Sequence, residues 1–143
     1  MAEPGISFTA KTRVYVDTNM FIAWVERPRR DTQDLQSMFQ RLALSGATLF
    51  TSEMTVAECL YGATKQGNAA ATSAYEKLFA SGDVAVVSLG NGVTARAAQS
   101  SADLGLKLID CIHYVTALEQ GCDYFFSADK RFKSDEIMQV ISP

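Results

Sequence analysis

Hydrophobic and polar positions form blocks along the chain that predict strands separated by helices. The segment RVYV at residues 13–16 is rich in β-branched and aromatic residues, which is typical of a strand. The next segment, TNMFIAWVE, changes to helical spacing, and Pro28 is expected to end that helix. Apolar residues then recur on one face of DTQDLQSMFQRLALSG, which predicts a second helix with Asp31 as its cap and Gly46 as its stop.

The later segments continue this alternation. A strand is predicted at ATLFT, followed by a short helix, EMTVAECLYG, that Ser52 would cap and Gly62 would end. The segment VAVVSL is too apolar for a strand with one solvent-exposed face. This indicates a central parallel strand covered by helices on both sides. The other predicted elements are a helix in NAAATSAYEKLFASG, helices near residues 91–104 and 109–120, a strand YFF at 124–126 and an edge strand MQVI.

This order of elements predicts an α/β fold: a three-layer α/β/α sandwich with a mostly parallel central sheet and right-handed crossovers. With 143 residues, of which 48% are hydrophobic, the chain can bury one core. We therefore expect a flexible N-terminal leader over residues 1–12 and a single domain over residues 13–143. In sheets of this kind, functional residues collect at the carboxyl ends of the strands, where the strand order reverses.

Composition and charge narrow the classes of function. The formal net charge of −3 excludes nucleic-acid binding through bulk positive charge, so any such binding needs local patches such as ERPRR or DKRFK. Three cysteines without a CxxC pair indicate reduced packing residues and no disulfide framework or zinc site. The sequence has neither a long apolar span nor the apolar region of a signal peptide, which predicts a cytoplasmic protein without a membrane partner.

Four acidic residues are predicted at the same rim of the sheet. Asp17 ends the first strand, Glu58 follows the second, Asp129 follows the fourth, and Asp110 opens a helix. Each has a structural alternative: Asp17 and Asp110 could be caps or first-turn acids, Glu58 could complete a capping box with Thr55, and Asp129 could be a turn residue. Together, however, the four carboxylates would repel one another and need a compensating charge. Oxygen ligands without a Cys or His cluster suit Mg²⁺, with Mn²⁺ as a possible substitute.

The segments VYVDTNMFI, TSEMTVAECLYG and LKLIDCIHYVTALEQGCDYFFSADKRF resemble the successive acidic motifs of PIN domains, in particular the VapC-like ribonucleases that act as toxins of toxin–antitoxin pairs. The resemblance runs from about residue 13 to residue 132. It implies that the metal is bound by Asp17, Glu58, Asp110 and Asp129. It also implies that Asn19 and Ser127 are polar supports of the site.

One departure from the family pattern concerns Arg131, because many members carry another acid at this position. The substitution argues against a tightly held second metal and implies a cation near the substrate phosphate, with Lys130 beside it. His113 lies where relatives often have a histidine. We interpret it as a helix residue that satisfies a hydrogen bond near the site, and not as a catalytic group.

The resemblance implies an Mg²⁺-dependent endoribonuclease that cleaves single-stranded or looped RNA through a metal-activated water. It further implies a cognate antitoxin protein, bound on DTQDLQSMFQRL and NAAATSAYEKLF, and a homodimer. Two alternatives stay open: a PIN nuclease in RNA processing without an antitoxin, and a catalytically silent interaction module. A haloacid-dehalogenase-type phosphatase would need a second Asp two residues after Asp17, where this chain has Asn19.

Overall fold

The centre of the molecule is a sheet of five parallel strands. A computed structural model describes residues 6–143, and the strands in it are β1 (Arg13–Val16), β2 (Thr48–Ser52), β3 (Ala85–Val87), β4 (Tyr124–Phe126) and β5 (Gln139–Ile141). Their order across the sheet is β3-β2-β1-β4-β5, and every neighbouring pair is parallel. The strand order therefore reverses at β1, which has β2 on one side and β4 on the other.

Helices cover both faces of this sheet, which confirms the predicted three-layer sandwich. They are α1 (Thr18–Glu26), α2 (Gln33–Ser45), α3 (Glu53–Lys65), α4 (Ala69–Ala80), α5 (Asn91–Leu104) and α6 (Leu108–Glu119). The first four share one buried cluster with Val14 and Val16 of β1. Tyr15 points to the opposite face, where Ala117 of α6 packs, and α5 packs against α6. The alternation along β1 follows from the two-residue period of a strand, which sends successive side chains to opposite faces.

The carboxyl ends of β1 and β4 lie side by side at the reversal of strand order. The backbone N–H of Asp17, the residue directly after β1, donates to the carbonyl oxygen of Phe126, the last residue of β4, at 3.0 Å. Crevices at this place in a parallel sheet are the usual location of ligands.

The prediction that VAVVSL forms a central strand is wrong. The strand in this segment, β3, is limited to Ala85–Val87 and lies at the edge of the sheet beside β2. Its side chains are only partly buried. A short apolar run is consistent with a buried strand, but it carries no information about which other strands that strand pairs with.

Two predicted helix ends are also wrong. Helix α3 continues through Gly62 to Lys65, and the chain turns at Gly67, which has a φ of +65°. Packing explains the continuation, since Ala63 is fully buried in the core and holds the helix in place beyond Gly62. Helix α2 begins after Thr32, while Asp31 belongs to a short 3₁₀ turn.

The segment before β1 is described from residue 6 onward, and residues 1–5 of the predicted leader lie outside the described residues. The ring of Phe8 packs edge-on against Tyr124 at a centroid distance of 5.3 Å. The guanidinium of Arg41 donates to the carbonyl oxygen of Ile6 at 2.9 Å. Residues 6–12 therefore lie against the domain. Over the described part of the chain, no helix has the length and apolar character needed to cross a bilayer.

Candidate active site

Asp17 is the most buried of the four predicted acids. It lies directly after β1 as the N-cap of α1, and the residue is 6% exposed. One carboxylate oxygen accepts from the backbone N–H of Thr18 at 2.9 Å, and the other accepts from the Ser127 hydroxyl at 2.8 Å. Burial raises the pKa of Asp17, although His113 and these two donors oppose the shift. Asp17 is thus both a helix cap and a buried, oriented carboxylate.

Glu58 reaches the same region from α3 and is held by two donors. Its Oε1 accepts from the Thr18 hydroxyl at 2.7 Å and from His113 Nε2 at 2.7 Å. Burial acts to raise the pKa of Glu58, but the hydrogen bonds from His113 and Thr18 outweigh it and leave the pKa below its usual value. The capping box with Thr55 is not formed, because both residues lie inside α3 and Glu58 has other partners.

Asp129 and Asp110 are bridged by Arg131. The guanidinium Nε donates to both carboxylate oxygens of Asp129, at 3.0 and 3.1 Å, and Nη2 lies 2.9 Å from Asp110 Oδ2. The hydrogen bonds from Arg131 hold the pKa of Asp129 below its usual range. Asp129 also accepts from the backbone N–H of Arg131 at 3.0 Å, so the alternative of a turn residue holds as well.

Ser127 and Thr18 connect three of the acids, Asp17, Glu58 and Asp129, into one network. The Ser127 hydroxyl donates to Asp17 and accepts from the backbone N–H of Asp129 at 3.0 Å. Thr18 donates to Asp17 through its backbone and to Glu58 through its side chain. Arg131 joins Asp110 to this network through Asp129, so the structure places all four predicted acids at one rim.

The side chains of Asn19 and Lys130, unlike that of Ser127, are exposed and lie outside this hydrogen-bond network. The side chain of Asn19 is exposed, and over residues 6–143 it makes no hydrogen bond to an acid. Its neighbour Thr18 makes these bonds. Lys130 is exposed beside Asp129 on an open cleft of about 520 Å³ that Lys133 also lines. Arg131, expected near a substrate phosphate, contacts Asp110 and Asp129 in this structure.

Sequence reasoning missed three contributors to the site: Tyr15, Ser52 and Thr18. The Tyr15 hydroxyl donates to Ser52 Oγ at 2.9 Å and lies 2.7 Å from His113 Nδ1. Ser52 is the N-cap residue of α3, as predicted, but its side chain makes no capping bond and serves Tyr15 instead. The signal in the sequence was a tyrosine and a threonine on either side of the first acid, each at a position that points inward.

The four acids offer the type of ligand atom that a divalent cation prefers. All four acids offer carboxylate oxygens, and Asp110 Oδ2 is buried without an aligned hydrogen bond from the described residues, since Arg131 lies only at ion-pair distance. Within residues 6–143, however, no three acidic, histidine or cysteine side chains converge on a single point suitable for a metal ion. Arg131 lies between two of the acids. A cation shared by Asp110 and Asp129 would require Arg131 to move.

Comparison with known proteins gives a family match over most of the chain. The model of the PIN domain family matches residues 14–135, which includes all four acids. No curated protein matches the chain.

Several solved structures share the fold at low sequence identity. VapBC2 from Rickettsia felis, bound to a DNA fragment from its promoter, has a TM-score of 0.73 at 14% identity, covering 92% of this chain and 98% of that chain. VapC20 from Mycobacterium tuberculosis, a sarcin-ricin-loop-cleaving toxin, has a TM-score of 0.72 at 15% identity, covering 90% and 98%. VapBC-1 from nontypeable Haemophilus influenzae has a TM-score of 0.64 at 20% identity, covering 90% and 96%.

Proposed function

The chain belongs to the PIN domain family, and on that premise we propose that it is an Mg²⁺-dependent endoribonuclease, the toxin of a toxin–antitoxin pair. The observation that carries the proposal is the connected set of four carboxylates at the reversal of strand order. Asp17, Glu58, Asp110 and Asp129 are the residues that would hold the cation, and Mn²⁺ would be a substitute for Mg²⁺. The substrate is single-stranded or looped RNA in the cytoplasm, because a small domain has no means of reading the deep groove of an A-form duplex.

The residues of the chain prepare the carboxylates for this role. Glu58 and Asp129 have pKa values below their usual range, so both are ionised at neutral pH. Hydrogen bonds from Thr18 and Ser127 fix the orientation of Asp17. A divalent cation bound here would make water more acidic and polarise a phosphoryl oxygen.

Basic side chains beside the acids would attract the RNA backbone. Lys130 and Lys133 line the open cleft next to Asp129, and Arg131, which is bonded to Asp129, is half exposed. A cation that takes over Asp110 and Asp129 would release Arg131, and the guanidinium could then contact a phosphate. Such contacts position the substrate and make its binding sensitive to salt.

An apolar groove supports the proposed antitoxin partner. The groove has a volume of about 530 Å³ between α1, α2, α4 and the sheet, and is lined by Phe21, Trp24, Phe39, Ala43, Leu49 and Leu78 among others. It suits the apolar face of a partner helix. The similar structures from Rickettsia felis and Haemophilus influenzae are VapBC complexes, which agrees with such a partner.

The proposed homodimer would cover apolar side chains beside the site. Leu108 and Ile109, which precede Asp110, are 49% and 42% exposed. A second copy placed over them would remove this apolar surface from water.

Induced expression followed by sequencing of RNA 5′ ends tests the function. We expect new 5′ ends at a few positions in unpaired RNA, and cleavage of the same RNA by purified protein with Mg²⁺ but not with EDTA. A purified protein that cuts no RNA with either Mg²⁺ or Mn²⁺, or that cuts equally well in EDTA, would refute the proposal.

A further inference from the structure

His113 lies at the centre of a buried hydrogen-bond network behind the acids. It is the single histidine of the sequence, lies on α6 three residues after Asp110, and is 1% exposed. Its Nδ1 is 2.7 Å from the Tyr15 hydroxyl, and its Nε2 is 2.7 Å from Glu58 Oε1. Both ring nitrogens therefore have close partners.

We propose that His113 is a positioning residue that orients Glu58 for binding of the divalent cation. This inference rests on the cation-binding part of the proposed function. Direct contact of His113 with RNA is excluded by its burial. Direct coordination of a cation would break one of its two hydrogen bonds, so His113 acts through Glu58.

The hydrogen bonds on Glu58 leave one of its oxygens free for a ligand. Thr18 and His113 both donate to Oε1, and their donor atoms lie 3.4 Å apart. Within residues 6–143 the structure shows no hydrogen bond to Oε2. A carboxylate fixed through one oxygen presents the other in a defined direction, as expected of a metal ligand that is held by its surroundings.

The network also fixes the elements that carry the acids relative to one another. Tyr15 belongs to β1, two residues before Asp17, and its hydroxyl also bonds Ser52 at the start of α3. Glu58 lies further along α3, and His113 lies on α6 close to Asp110. The imidazole of His113 therefore links β1 to α3 and α6, the elements that carry or precede three of the four acids.

The shape of histidine explains its use at this position. The two nitrogens lie on opposite sides of a rigid ring and can bond Tyr15 and Glu58 at once. A glutamine can place an amide N–H near Glu58 but has a flexible stem, and a leucine fills the space without any donor. Comparing His113→Gln with His113→Leu therefore separates the donor from the packing of the side chain.

Cation affinity measured by calorimetry with Mn²⁺, together with RNA cleavage rates, tests the proposal. His113→Leu should weaken Mn²⁺ binding and lower kcat by about 10- to 100-fold, with the KM for RNA unchanged. His113→Gln should recover part of this loss, and Tyr15→Phe should show a smaller loss. The matched control is Tyr75→Phe, which removes the hydroxyl of another fully buried tyrosine, bonded to Glu26 on the other face of the sheet.

The control should change the melting temperature without changing Mn²⁺ affinity. Wild-type Mn²⁺ affinity in folded His113→Leu overturns the proposal. If that variant does not fold, Tyr15→Phe and His113→Gln decide in its place, and wild-type affinity in both overturns the proposal.

Nuclear magnetic resonance separates this inference from the proposed nuclease activity. The single histidine of untagged protein gives one pair of ring ¹⁵N signals, and Mg²⁺ should shift them in the wild type and in Tyr75→Phe. Signals that do not respond to saturating Mg²⁺ overturn the inference, as does a wild type that binds neither Mg²⁺ nor Mn²⁺. A wild type that shows the shift but cuts no RNA refutes the nuclease activity and supports the role of His113.

Discussion

The Arg131 guanidinium lies 2.9 Å from Asp110 Oδ2 and is also bonded to both carboxylate oxygens of Asp129. The cluster of acids thus contains its own counter-ion. Four neighbouring acids need a compensating positive charge, as the sequence indicated, and the structure identifies Arg131 as the residue that supplies it. A divalent cation that binds Asp110 and Asp129 has to displace Arg131.

Replacement of Arg131 by Ala should therefore strengthen cation binding. The Arg131 guanidinium and the cation compete for the carboxylates of Asp110 and Asp129, and the variant removes the guanidinium. We therefore expect calorimetry to show that Mg²⁺ binds about two- to fivefold more tightly to the variant. Lys130→Ala is the matched control, since Lys130 is an exposed neighbour and makes no ion pair with the acids in the described part of the chain. A large loss of Mg²⁺ affinity in Arg131→Ala would mean that Arg131 organises the acids for the cation.

Asp17→Asn should raise the melting temperature of the protein in EDTA. Burial raises the pKa of Asp17, so the folded state disfavours the charged form, and this penalty is present once the pH is above the folded pKa. The amide keeps an oxygen for the Thr18 N–H and removes the charge. For a domain of this size, each kcal/mol gained corresponds to about 3 °C.

Two further measurements check the cause of that change. At lower pH the wild type takes up a proton at Asp17, so the difference between the two melting temperatures should shrink as the pH falls through the folded pKa. With Mg²⁺ at about 100 times its dissociation constant, the free energy of unfolding of the wild type rises by about 2.7 kcal/mol and that of the variant by much less. The difference between the two melting temperatures should therefore narrow or change sign. If Asp17→Asn melts at a lower temperature than the wild type in EDTA, and Mg²⁺ raises both melting temperatures equally, then Asp17 is only a helix cap.

Asp110→Asn should reduce RNA cleavage at least about 100-fold, because the amide lacks the charge of a ligand for a hard cation. Asp110 Oδ2 is buried and lies 2.9 Å from the Arg131 guanidinium, so the melting temperature of the variant has to be measured alongside cleavage to show that it is folded. The control is Asp135→Asn, which removes a carboxylate bonded to the Tyr114 hydroxyl away from the acids. Undiminished cleavage by a folded Asp110→Asn protein would exclude Asp110 from the site.

Gly62→Ala should stabilise the protein by about 0.5–1 kcal/mol, measured by denaturant unfolding. Gly62 lies inside α3, and a Cβ atom added there meets no heavy atom within 4 Å. The paired variant Gly67→Ala also meets open space, but its φ of +65° strains any residue with a Cβ atom, so this change should destabilise. Equal effects of the two substitutions would contradict the assignment of the helix end.

The sequence by itself determined the alternation of strands and helices and the positions of the four acids on them. Periodicity is a local property, and RVYV or the stripe on α2 carries it within a few residues. Because parallel strands end at one rim, the order of the elements is enough to predict that Asp17, Glu58 and Asp129 lie near one another. Burial of the three cysteines followed from composition in the same way.

Tertiary structure alone decided how these side chains are paired. Whether Thr18 or Asn19 points at Glu58 depends on where α1 begins, since adjacent helix residues point about 100° apart. The edge position of β3, the continuation of α3 through Gly62 and the pairing of Arg131 with Asp110 likewise depend on residues far away in the chain. Local patterns contain no information about such contacts, because long-range packing can override a residue's own preference at little cost.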